Sequence, residues 1–181
     1  MSFQIGAVVI NQKDEVLLFE NIASGISRLP RFDGKLLDVA CLSPFKFLYD
    51  QSQLEVDRLP LLMTKRQYRN SDAESYDELE QELVFENTFT TSPFSVGLDV
   101  AWFRIKQDPL YPDGRQCVVN WYSGIIRGNS VPSQSNDIRV HFLPIAEAIS
   151  AVSDNDYVAE NALRAFDTLW TATKHFQAGK R

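Results

Sequence analysis

The side chains best placed for chemistry are concentrated in the segment SPFKFLYDQS, residues 43–52. On a helix, positions 47, 50 and 51 share one face at i, i+3 and i+4, the spacing at which three carboxylates converge on a hard divalent cation. Here the three are Phe47, Asp50 and Gln51. Protein-bound Mg²⁺ is held by carboxylates together with substrate phosphates, and a single aspartate beside a phenyl ring and an amide is a poor anchor. Lys46 and Asp50 form an ordinary i,i+4 pair on the same helix, whose Phe45, Leu48 and Tyr49 would pack on a sheet.

Elsewhere the candidates stand singly. His141 lies in IRVHFL and points opposite to Val140 and Phe142, as a cleft acid/base or as an exposed histidine would, while His175 suits the end of a terminal helix. Glu78, Glu82 and Glu86 would share a face if residues 72–87 are helical, either as substitute carboxylates or as a solvated face. Trp102 and Arg104 fall on one side of VAWFRIK, and Asn120 and Tyr122 on one side of VVNWYSG, giving mixed faces suited to lining a pocket. The chain contains no Gly-x-Ser-x-Gly elbow, Gly-rich phosphate loop or dinucleotide fingerprint. Two histidines rule out a three-histidine metal site.

The elements that must position these residues follow from patterning. Residues 4–10 and 16–22 are apolar β runs joined by a polar turn, a hairpin that opens a sheet. Residues 28–34, RLPRFDG, read as a turn-rich connection. Ser43 as N-cap and Pro44 as first residue predict a helix to about residue 53. Residues 54–69 read as extended, 72–87 as a helix within an acidic insertion over 72–90, and 96–106 and 116–127 as a hairpin around DPLYPDG. A strand over 138–143, a short helix over 145–152 and a long helix capped by Asp154 or Asp156 complete the chain. The long helix buries Val158, Ala162, Phe166 and Trp170. This order predicts one α+β domain over 1–181, built as an α/β/α sandwich on a mixed sheet.

Composition narrows the partners. Eighteen Lys and Arg against 24 Asp and Glu give a net charge of −6 with no basic patch, which disfavours nucleic acid. No apolar run is long enough to span a membrane, and the N-terminal residues lack a signal peptide's basic start. Cys41 and Cys117 sit in apolar stretches and match no metal-ligand spacing, so both read as reduced buried thiols, Cys41 as an inert one, in a cytoplasmic protein.

The GAVVIN hairpin, the Leu-Pro loop, the helix and the later strands together resemble the Nudix hydrolase family over nearly the whole chain. That family's signature, laid on the chain without a gap, puts its first glycine on Phe32 and its first glutamate on Asp38. Its arginine falls on Lys46, its later glutamates on Phe47, Asp50 and Gln51, its second glycine on Gln53 and its last apolar residue on Leu54. The resemblance implies a Nudix-like fold with a degenerate metal box, a cleft made greasier by Phe47, and no metal or other cofactor. The expected activity is metal-independent acid–base chemistry of an isomerase or cyclase kind, with Asp38, Lys46, Asp50 and His141 moving protons. Phe32, Phe47, Gln51, Trp102, Arg104, Asn120 and Tyr122 would hold a small apolar or aromatic ligand. Two other readings stay open: a Mg²⁺-dependent hydrolase that recruits Glu78 to Glu86, and a non-catalytic small-molecule or protein-binding module. The oligomeric state is left open.

Overall fold

The computed structural model describes residues 2–34, 44–68, 83–90, 101–103, 115–128, 130–133 and 137–179. Its first strands are β1 (Ser2–Ile10) and β2 (Glu15–Asn21), which meet as an antiparallel hairpin at Ile10 and Val16. Asn11 shapes the turn, its side-chain oxygen accepting from the backbone N–H of Lys13 at 2.8 Å and of Glu15 at 3.0 Å. The turn-rich reading of 28–34 needs correction. Short strands β3 (Ser27–Arg28) and β4 (Arg31–Gly34) flank Leu29 and Pro30, β3 pairing with β2 and β4 with β1. The two form a wedge that fills the fork where β2 diverges from β1 beyond the hairpin turn.

The helix predicted at Pro44 runs from there to Ser52 as α1. It is followed by β5 (Val56–Arg58) and β6 (Leu61–Tyr68), in agreement with the extended reading of 54–69. β7 (Leu83–Thr90) pairs antiparallel with β6 from Leu61 opposite Thr90 to Tyr68 opposite Leu83. The helix expected over 72–87 therefore does not include 83–87, and 72–82 lie outside the described residues. LVFENTFT is rich in β-branched and aromatic residues, and pairing with a distant strand overrides a local helical period. β8 (Ala101–Phe103) pairs antiparallel with β9 (Arg115–Ile126), as the predicted hairpin requires. β10 (Ile138–Pro144), α2 (Ile145–Ser153) and α3 (Tyr157–Ala178) follow.

The main path of the larger sheet is β10-β2-β1-β9-β5, with β1 and β9 parallel and the remaining pairs antiparallel. Side-chain alternation along β1 sorts the core into two layers. Ile5, Ala7 and Val9 face Phe45 and Leu48 of α1, together with Leu17, Tyr122 and Ile126. Val8 and Ile10 face Ala148 and Val152 of α2 and Val158, Ala162, Phe166 and Trp170 of α3, the stripe predicted for the last helix. This is an α/β/α sandwich on a mixed sheet. Two close approaches need glycine: a Cβ on Gly6 would lie 2.3 Å from the Trp121 ring, and one on Gly124 would lie 2.5 Å from Val56 and 2.8 Å from Phe45. Gly124 thus lets α1 settle directly on β9.

Cys117 is a buried free thiol, and Cys41 lies outside the described residues. Among the described residues no helix is long and apolar enough to cross a membrane.

Candidate functional site

The α1 face that carries the sequence candidates divides between core and solvent. Phe47 is half-buried against the α1-side core and stacks on Phe32 of β4, with ring centroids 5.4 Å apart and planes 22° from parallel. Lys46 and Asp50 are exposed, and no ion pair joins them among the described residues. α1 ends at Ser52, whose hydroxyl donates to the Leu48 carbonyl at 2.7 Å. Gln53 then turns the chain with φ of +57°. This left-handed position favours glycine, and it is the position onto which the signature's second glycine falls.

Gln51 faces a cleft of about 300 Å³ at the wedge, where it meets Gln4 of β1, Phe19 and Asn21 of β2, Ile138 of β10, and Arg28, Leu29 and Arg31. The lining is mixed, with three amides, two guanidiniums and an apolar floor. Gln4 is oriented by its amide, which donates to Asp33 at 2.9 Å. Arg31 reaches from the cleft wall to Asp156, with nitrogen–oxygen distances of 2.8 and 3.3 Å. Asp156 also caps α3 by accepting from the Ala159 N–H at 3.1 Å, so one carboxylate ties a cleft arginine to the start of the long helix. Arg28 is exposed at the cleft and makes no ion pair with another described residue.

Of the residues singled out from the sequence, Gln51 lines this cleft. Phe32 and Phe47 sit beside it in the α1-side layer that also contains Phe19. Asn120 and Tyr122 lie on the same side of the sheet, opposite Ile5 and Ala7; Tyr122 is buried in the core, with the Arg58 guanidinium 5.5 Å from its ring centre. Trp102 is placed opposite Gln116 on the sheet. His141 is opposite Leu18 and therefore on the α2–α3 side, away from Lys46 and Asp50. Its ring contacts Ser27 and Glu20. Burial pushes its pKa below the ordinary value, as does Arg139, against an upward pull from Glu20.

Asp38, Arg104, Glu78 and Glu82 lie outside the described residues. Glu86 falls on β7 opposite Lys65, so it is not one member of a three-glutamate helical face. Among the described residues no three His, Cys, Asp or Glu side chains are grouped as metal ligands would be. The cleft residues not anticipated from sequence come from the wedge and the hairpin. Their available signal was the basic pair Arg28 and Arg31 flanking Leu-Pro, in a segment read as a connection.

No protein-family model and no curated protein matches the chain. Solved structures do. An Ap4A hydrolase from C. elegans, solved as a binary complex, matches over 95% of this chain and 99% of its own, at 8% identity and a TM-score of 0.51. A dihydroneopterin triphosphate pyrophosphohydrolase from E. coli covers 91% and 93% of the two chains at 8% identity and a TM-score of 0.48. A Nudix hydrolase from Nitrosomonas europaea covers 99% and 90% at 14% identity and a TM-score of 0.44. The protein has a Nudix-like fold.

Proposed function

We propose that this chain is a Nudix-like binding protein whose cleft takes a small molecule with one flat apolar part and one anionic group, without a divalent metal. The observation that carries the reading is the stack of Phe47 on Phe32, at a register where a metal clamp needs a carboxylate. The described residues do not fit a bound Mg²⁺: Asp50 is a lone exposed carboxylate, Gln51 is an amide, and Phe47 is packed against apolar neighbours. The left-handed turn at Gln53 supports this register independently of side-chain identity.

The cleft supplies its own recognition groups. Phe19, Leu29 and Ile138 offer an apolar floor, Arg28 offers a charge for an anion, and Gln4, Asn21 and Gln51 offer amides. At about 300 Å³ it lies at the small end of ligand pockets, which run from about 300 to 1,000 Å³. Isomerase or cyclase chemistry needs an acid and a base converging on one bound atom. With Lys46 and Asp50 on one side of the sheet and His141 on the other, recognition at this cleft is better supported than proton transfer.

Calorimetric titration of chelator-stripped protein with aryl carboxylates and aryl phosphomonoesters tests the proposal. Binding is expected with or without chelator, and Arg28→Gln should weaken it roughly tenfold, about 1.4 kcal/mol. Mg²⁺-dependent phosphate release from nucleoside diphosphates that Asp50→Ala abolishes would overturn the proposal and return the chain to the hydrolases.

A further inference from the structure

On the sheet face away from α1, where β3, β2 and β10 lie side by side, three side chains form a row. The Ser27 hydroxyl oxygen lies 3.4 Å from His141 Nε2, and the other ring nitrogen, Nδ1, lies 3.8 Å from Glu20 Oε2. Backbone register fixes the row: Ser27 is the Cα partner of Glu20 across β3–β2, Glu20 is the partner of Arg139 across β2–β10, and His141 is two residues further along β10. A hydroxyl, an imidazole and a carboxylate in this order are the parts of an activated nucleophile, its base and the group that orients the base. We propose that Ser27, His141 and Glu20 form such a relay and accept an acyl group from a small activated ester.

The local electrostatics suit the three roles. The Arg139 guanidinium lies 3.2 Å from Glu20 Oε2 and pairs with that carboxylate beside the imidazole. Burial favours a neutral His141, the form able to accept a proton, and the imidazole side chain is still 27% exposed. Ser27 is nearly covered, so the acyl donor approaches over the imidazole edge. Both gaps are looser than the roughly 2.6–3.2 Å of a working contact, a looseness common before substrate arrives.

In the acylation step Ser27 Oγ bonds to the ester carbonyl carbon as its proton passes to His141 Nε2. The ester C–O bond then breaks, and the same proton leaves with the alkoxide as an alcohol. In deacylation water gives a proton to His141 and its oxygen to the carbonyl carbon. The C–Oγ bond breaks, a carboxylic acid departs, and the proton returns to Ser27. Glu20 orients the ring with Nδ1–H toward itself throughout. It is a positioning residue.

The test is reaction of the full-length protein with a fluorophosphonate, followed by peptide mass spectrometry. One phosphonyl adduct per chain is expected, on Ser27. His141→Gln should slow its formation by at least about 100-fold, and Glu20→Gln by about tenfold with partial rescue by Glu20→Asp. Absence of an adduct on Ser27, under conditions that label a known serine hydrolase, would overturn the proposal. So would a His141→Gln variant with a native circular dichroism spectrum that reacts as fast as the wild type.

Discussion

At the scale of single residues, histidine 141 makes the sharpest claim about protonation. Burial lowers its folded-state pKa from the ordinary 6.5, with a further downward push from Arg139 and an opposing pull from Glu20. Below neutrality the unfolded chain therefore takes up a proton that the folded chain resists, so folding stability falls as pH drops from about 7 through the folded-state pKa. Urea melts at pH 7.5 and 5.5 should show a larger loss of midpoint for the wild type than for His141→Gln, and equal losses would refute the claim. In the sequence, alternation alone places this histidine opposite Val140 and Phe142, and it lies on the other face of the sheet from them. Its neighbours were illegible because Ser27 and Glu20 reach it only through pairing on both edges of β2. Gln51 was likewise legible from helical spacing, whereas Arg28 and Arg31 were hidden by a Leu-Pro segment that reads as a turn and folds as two short paired strands.

At the scale of elements, the two ends of helices beside the cleft carry measurable costs. Gln53 closes α1 with φ of +57°, where an L side chain is disfavoured by about 1–2 kcal/mol and glycine is not. Gln53→Gly gives back part of that gain as unfolded-state entropy, so it should raise stability by about 0.5–1 kcal/mol in urea melts. A loss of stability would show that the Gln53 amide bond to the Tyr49 carbonyl outweighs the strain. At the start of α3, Asp156 serves as both cap and ion-pair partner of Arg31. Asn caps as well as Asp does, so Asp156→Asn should cost only the ion pair, about 1–2 kcal/mol. Asp156→Ala should cost about 1 kcal/mol more, and equal losses would mean that the cap contributes nothing. Most elements could be read from local pattern: the opening hairpin, α1 from its proline, and the last helix from its apolar stripe. The helical period does not hold at 83–87 because the state of that segment is decided by pairing with β6, a contact that local pattern does not encode.

At the scale of the whole molecule, the question is what the folded state binds in preference to the unfolded chain. A ligand specific for the native cleft stabilises it by RT ln(1 + [L]/Kd), about 2.7 kcal/mol at one hundred times Kd. For a domain of this length each kcal/mol raises Tm by roughly 2–4 °C, so a saturating aryl anion should shift the melt upward by roughly 5–10 °C. The same arithmetic applies to Mg²⁺ at several millimolar, and a clamp of carboxylates with sub-millimolar affinity would move Tm by several degrees on its own. With Phe47 stacked on Phe32 and a single exposed aspartate on α1, the expectation is that Mg²⁺ leaves Tm where chelator does, and that the aryl anion's shift is the same in both. A melt that rises with Mg²⁺ and falls back with chelator would mean that acids beyond the described residues complete a metal site. The wedge cleft would then be the substrate half of a hydrolase.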